Sequence, residues 1–149
     1  MPAADAPLGF AVADQHDLSH PSMMLGMTTF DSVTLVFLVR PVDAPDVSDA
    51  EAERLQDAHL AHQSALAEQG LVLAAGPLTG QDDEGMRGIC VLSVDADRAR
   101  ALYAEDPAVR AGRLAVRVAT WLVPTGGAVF PGITLPASSA EARAGREPT

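Results

Sequence analysis

Three short stretches of this 149-residue chain are apolar at nearly every position. They read VTLVFLV at 33–39, LVLAA at 71–75 and ICVL at 89–92. A strand with one face in water alternates polar and apolar side chains, whereas a strand buried on both faces is apolar throughout. The three stretches therefore predict strands of a sheet that is covered on both faces, and this requirement narrows the choice of folds.

The segment between the first two strands has the signals of one long helix. Ser48 and Glu51 have the spacing of a capping box, in which Ser48 caps the first turn and Glu51 reaches back. Gly70 suits the left-handed conformation that follows a last helical turn. These signals predict a helix over 48–69.

The sequence after the third strand predicts one more helix and one more strand. DADRARALYAED at 95–106 is predicted as a second helix, ended by Pro107, and LAVRVATWLV at 114–123 as a fourth strand. The order β-α-β-β-α-β is that of a ferredoxin-like α+β fold, in which two helices cover one face of a four-stranded antiparallel sheet. The other face would stay exposed, so we expect a homodimer in which two sheets pack together.

Composition separates this predicted domain from its flanks. Residues 1–30 are rich in Ala, Pro, Asp and Ser without a helical or strand period, and we expect a weakly structured extension. Residues 125–149 turn to Gly, Pro, Ala and Ser and are expected to form a tail, although AVFPGITL is apolar enough to dock. The domain is predicted at 31–124.

Charge and cysteine content exclude several classes of function. The formal net charge is −10 and all ten basic residues are Arg, so nucleic acid is not an expected partner. No basic residue precedes Arg40 and the apolar runs are too short for a membrane span, so we expect a cytoplasmic protein without membrane contact. Cys90 is the only cysteine, which rules out an intrachain disulfide, and its apolar surroundings predict burial.

The first predicted helix carries two histidines on its inner side. At 100° per residue, Leu55, His59, His62 and Leu66 fall in one stripe that faces the core. An imidazole titrates near neutral pH and can take and return a proton, which makes these residues candidates for acid-base chemistry. The structural alternative is a half-buried ring that hydrogen-bonds to a backbone carbonyl.

A combination of motifs resembles the YCII-related family. It consists of a histidine eleven residues before a helix-ending glycine, then GLVLAAGP, then EDPAVRAG and a last strand with a tryptophan, over about 33–123. The resemblance implies a ferredoxin-like subunit that dimerises into an α+β barrel, and a histidine–aspartate pair at His59 and Asp106. The family's known chemistry includes dehydrochlorination of a chlorinated hydroxyquinol. Members often carry Arg where this chain has Gln56.

This resemblance leads to a specific hypothesis. A carboxylate bonded to the second ring nitrogen fixes the histidine tautomer and stabilises the imidazolium. We expect a cofactor-free enzyme for a small molecule, acting by elimination, isomerisation or hydrolysis, with His59 as general acid and base and Asp106 as its partner. His62 is predicted to contact substrate. Asp106 also precedes Pro107 and is a good helix N-cap, and the two roles can coexist.

Two alternatives belong to other classes. The same fold permits a non-catalytic dimer that binds a small ligand or accompanies another enzyme. His59 and His62 could also share a metal ion, but no carboxylate follows in the manner of a zinc protease motif, so no metal is expected. AAGPLTG and DDEG lack the spacing of a phosphate-binding loop, and no nucleotide cofactor is expected either.

Overall fold

The computed structural model describes residues 23–25 and 28–145. Most of the predicted N-terminal extension over 1–30 lies outside these residues. The elements in chain order are β1 (Met23–Leu25), β2 (Thr28–Val39), α1 (Asp49–Glu68), β3 (Val72–Pro77), β4 (Met86–Leu92), α2 (Ala96–Ala104), α3 (Pro107–Arg110), β5 (Ala115–Pro124) and α4 (Ser139–Ala144).

Helix α1 begins and ends at the predicted signals. The Ser48 hydroxyl accepts the Glu51 amide at 3.1 Å and caps the first turn. The Glu51 carboxylate binds the Arg54 guanidinium, with its shorter contact at 2.6 Å, instead of reaching back to close the capping box. Gly70 has φ +74° and its amide donates to the last turn, which is the conformation that ends helices at glycine.

The sheet has the predicted antiparallel order. Its four main strands run β5-β2-β4-β3, and the short β1 pairs with the beginning of β2. Val36 in the central strand β2 lies opposite Cys90 of β4 and Val118 of β5. In the chain, α1 lies between β2 and β3, and α2 lies between β4 and β5. This order of strands and helices is the ferredoxin-like α+β arrangement, so the predicted fold class is confirmed.

Apolar side chains cover both faces of the sheet. On one face, alternate strand residues such as Val36 and Leu38 pack with Leu66 of α1 and Tyr103 of α2. On the opposite face, Val33, Val91 and Val123 pack with side chains that include Leu35, Leu73, Ala128 and Phe130. The second cluster contains no side chain from α1 or α2, so the helices cover one face only.

The segment after β5 packs against the core, as the apolar stretch AVFPGITL allowed, and adds a helix that the sequence analysis did not predict. Ile133 and Leu135 pack against the helix-side core, and Ala128 and Phe130 against the other face. Helix α4 begins after Ser138, whose hydroxyl accepts the Glu141 amide at 3.2 Å. The signal was present as SSAE, which has the same spacing as the SDAE that starts α1.

Strand β2 is also longer than predicted. It begins at Thr28, five residues before the expected start at Val33, because TTFDS pairs with β1 and β5 although it is mostly polar. Among the described residues, no helix is both long enough and apolar enough to cross a membrane.

Candidate active site

His59 and Asp106 meet in the interior, although 47 positions separate them in the chain. The Nδ1 atom of His59 lies 2.5 Å from Oδ2 of Asp106. His59 is 5% exposed and Asp106 is fully buried. Helix α1 supplies the histidine from its inner side, and the turn between α2 and α3 supplies the aspartate. The structure thus brings together the two residues that the resemblance implied.

Asp106 performs two structural tasks at once. Its Oδ1 atom accepts the backbone amide of Ala108 at 2.9 Å and caps α3, with Pro107 in the first helical position. Its Oδ2 atom faces His59. A carboxylate can only accept hydrogen bonds, so Nδ1 of His59 carries the proton and donates it to Oδ2. In the neutral imidazole, Nε2 is then the acceptor, and it is the ring nitrogen available for chemistry.

Gln63, one turn after His59, is a site residue that the sequence analysis missed. Its side-chain amide nitrogen lies 3.2 Å from Nε2 of His59, and its oxygen accepts the Tyr103 hydroxyl at 3.2 Å. Cys90 lies 3.4 Å from the same amide nitrogen. The 100° rotation per residue places Gln63 beside His59 on the wheel, so helical spacing could have identified it.

Donors and acceptors match at each contact from Tyr103 through Gln63 to His59. Burial raises the pKa of Tyr103, and the neighbouring Cys90 adds to the shift, so the phenol stays protonated and donates to Gln63. Burial also raises the pKa of the Cys90 thiol, which keeps it neutral. Gln63 is thereby held with its N–H toward the unprotonated Nε2 of His59. In this arrangement Nε2 of His59 is the acceptor of the Gln63 amide.

His62 occupies a different environment from His59. Its Nε2 atom lies 2.9 Å from the backbone carbonyl of Leu102, and its ring meets Tyr103 edge-on with centroids 6.2 Å apart. Both contacts connect α1 to α2. His62 is not among the residues that line the cavity beside His59. A substrate-binding role for His62 stays a prediction.

A cavity of about 380 Å³ lies beside the histidine–aspartate pair. Helix α1 contributes His59, Gln63 and Gln56, the last at the position where the resemblance leads one to expect an arginine. The remaining walls come from the sheet, from the residue just before β5 and from the C-terminal segment, and they include Leu38, Pro77, Leu114, Leu135 and Pro136. The volume is at the small end of the range typical of ligand pockets.

The C-terminal segment closes one side of this cavity. Ser139, the first residue of α4, donates its amide to the Asp57 carboxylate at 2.8 Å, and this hydrogen bond lowers the pKa of Asp57. Arg143 of α4 lies 3.5 Å from Glu53, which, like Asp57, belongs to α1. Both contacts attach α4 to α1 next to the cavity wall. Leu135, Pro136, Ser139 and Arg143 line the cavity, within a segment that the sequence analysis assigned to a tail.

Metal-binding geometry is not found in the described part of the chain. No group of three or more His, Cys, Asp or Glu side chains is arranged there to hold a metal ion. Nδ1 of His59 and Nε2 of His62 face different partners, a carboxylate and a backbone carbonyl. Joint coordination of one ion by these two atoms would require both contacts to break.

The fold and the site thus define a class of protein, a ferredoxin-like α+β domain with a buried histidine–aspartate pair. Comparison with known families matches residues 36–122, more than half of the chain, to the YCII-related domain. The chain belongs to the YCII-related family. The match includes β3, β4 and both residues of the pair.

Comparisons with individual proteins are more distant. The curated proteins contain no match. Among solved structures, the chain is similar to 5-chloro-2-hydroxyhydroquinone dehydrochlorinase from Burkholderia phenoliruptrix AC1100, solved with 2,5-dihydroxybenzoquinone. The identity is 22% and the TM-score 0.44, over 60% of this chain and 92% of that one.

Proposed function

We propose that this protein is a cofactor-independent enzyme that moves a proton on a small organic substrate. The observation that carries the proposal is the contact between His59 Nδ1 and the buried Asp106 carboxylate, beside a cavity of ligand size. The reaction class is an elimination, an isomerisation or a hydrolysis, since each can proceed by proton transfer to and from one imidazole.

The roles follow from the hydrogen bonds. Nε2 of His59 takes a proton from the substrate, and Gln63 releases its N–H contact with that atom as the proton arrives. The ring is then an imidazolium, and the Asp106 carboxylate stabilises its positive charge through Nδ1–H. The same proton returns to the substrate or its leaving group from Nε2. Asp106 is a positioning residue, since its two oxygens are occupied by His59 and the α3 amide.

Activity of matched variants tests the proposal once a turned-over compound is found in a screen of acidic and phenolic metabolites. His59→Gln should lower kcat by about 100-fold or more, the usual worth of a positioned acid-base group. Glu68→Gln is the control on the same helix, because this residue is exposed and lies outside the cavity. Unchanged turnover in folded His59→Gln would contradict the proposal and favour a ligand-binding protein.

We also propose a homodimer formed through the sheet face that α1 and α2 leave uncovered. Val33 pairs with Trp121 across β2 and β5, so Trp121 points to this face, where it is 41% exposed. Phe37 and Ile89 pair on the same face and are partly exposed. Exposed apolar area of this kind is typical of protein interfaces. Sedimentation should show a dimer, with dissociation in Trp121→Asp; a monomer in the unaltered protein would contradict the proposed homodimer.

A cytoplasmic location stays a prediction.

A further inference from the structure

Two arginines reach the cavity from the ends of adjacent central strands. Arg40 follows β2 directly and Arg87 is the second residue of β4, and both line the cavity that also contains His59. The two strands pair at this end, with Val39 opposite Met86. The Arg40 amide donates to the Gly85 carbonyl at 2.7 Å, which holds the strand ends together.

These arginines have no carboxylate partner within the described residues. Nε of Arg40 donates to the backbone carbonyl of Arg113 at 3.3 Å, and Arg113 in turn donates to the carbonyl of Pro45. Ion pairs with carboxylates involve other arginines, namely Arg54, Arg100 and Arg143. Arg98, Arg110 and Arg117 likewise have no carboxylate partner among the described residues, so Arg40 and Arg87 are distinguished by lying at one cavity in a chain of formal net charge −10.

The local electrostatics around Arg40 are unfavourable. Arg40 is partly buried, and this burial together with repulsion from Arg113 and Arg87 lowers its pKa. Removing a guanidinium from water without an opposite charge has a free-energy cost, and so does placing like charges together. An anion bound between Arg40 and Arg87 would compensate both costs, and guanidinium groups bind carboxylates through paired hydrogen bonds.

We propose that Arg40 and Arg87 form the carboxylate-binding end of the cavity, so that the ligand is a small organic acid. Leu38, Leu60 and Leu114 line the same cavity and provide apolar contacts for the body of the ligand. The volume of about 380 Å³ suits a compact acid rather than a nucleotide or a peptide. This assignment rests on the proposed function in one respect only, namely that the ligand reacts at the part of the cavity lined by His59.

Benzoate and benzamide provide the test, because they have the same shape and differ in charge. Chemical-shift titration of the full chain should show benzoate binding at least about tenfold more tightly than benzamide, with the difference shrinking as salt is added. Arg87→Gln should weaken benzoate binding by about tenfold and leave benzamide unchanged. Arg40→Gln should act in the same way, and Arg40→Lys should retain part of the preference because it retains the charge.

The matched control is Arg98→Gln, which removes the same charge from an exposed position on α2 outside the cavity. It should leave both affinities unchanged. Equal binding of benzoate and benzamide, no binding of benzoate, or an equal effect of Arg98→Gln and Arg87→Gln would each overturn the assignment. His59→Gln should preserve the preference for benzoate, so loss of turnover without loss of that preference separates failure at His59 from failure at the arginines.

Discussion

Asp106 holds His59 with one carboxylate oxygen and caps α3 with the other. The first contact is 2.5 Å, to Nδ1 of His59, and the second is 2.9 Å, to the amide of Ala108. The side chain is completely buried, so water cannot replace either partner. The orientation of the histidine ring is therefore tied to the position of a short helix that packs against α1.

Substitutions at Asp106 should separate charge from hydrogen bonding. Asn caps helices about as well as Asp and can still accept from Nδ1–H, so Asp106→Asn should lower the free energy of unfolding by about 1 kcal/mol. Asp106→Ala leaves the ring N–H and the Ala108 amide unpaired and should cost about 3 kcal/mol. Urea unfolding of both variants measures these losses. Equal losses would contradict the double role.

The bond between Gln63 and Tyr103 should appear in a double-mutant cycle. Tyr103→Phe keeps the ring and removes one hydrogen bond, which should cost about 1 kcal/mol. Gln63→Leu should cost about 2 kcal/mol, because it leaves the buried Tyr103 hydroxyl without its Gln63 acceptor. The double variant should lose less than the sum by about 0.5 kcal/mol or more. Strict additivity in denaturant unfolding would show that the two groups do not interact.

Two glycines differ in backbone conformation and provide a matched pair. A Cβ atom at Gly70 or at Gly76 would meet nothing within 4 Å, so space is equal, but only Gly70 has φ of +74°. Gly70→Ala should lower the free energy of unfolding by about 1 kcal/mol because of the left-handed conformation. Gly76→Ala should be neutral or stabilise by a few tenths of a kcal/mol. Thermal unfolding of the two variants measures the difference, and similar losses would contradict it.

Attachment of α4 should depend on pH through Asp57. Its hydrogen bond to Ser139 lowers the pKa in the folded state below the unfolded value, so the stabilisation is complete above the unfolded pKa of about 4 and is lost as pH falls through the folded pKa. Asp57→Asn should therefore be less stable than the unaltered protein at pH 7, and the difference should vanish in strong acid. Melting temperatures across pH measure this, with Asp82→Asn in an exposed turn as control. A difference that does not change with pH would contradict it.

Local signals in the sequence predicted most of the fold. Apolar runs identified the strands, and Ser48 and Gly70 identified the ends of α1, because strand burial and helix caps depend on neighbouring residues. The beginning of β2 was missed because its polar residues pair with strands from distant parts of the chain. Helix α4 was missed because a short helix in a Pro-rich segment has no apolar period of its own.

The site was predictable only in part. Helical periodicity placed His59 on the inner side of α1, but its pairing with Asp106 came from the family resemblance, since no local pattern relates positions 47 residues apart. Arg40 and Arg87 were not predicted, because they meet only when β2 pairs with β4. Leu135 and Arg143 lie in a segment that the composition indicated as a tail.

The central claim is that Asp106 holds His59 as the tautomer with an unprotonated Nε2, the nitrogen that faces the Gln63 amide. Nitrogen-15 NMR of the imidazole in mildly alkaline solution tests it most directly, with Asp106→Asn for comparison. We predict a proton on Nδ1, an unprotonated Nε2, and a downfield Nδ1 proton signal that is lost or moves strongly in Asp106→Asn. A proton on Nε2, or identical His59 ring signals in the two proteins, would contradict the account.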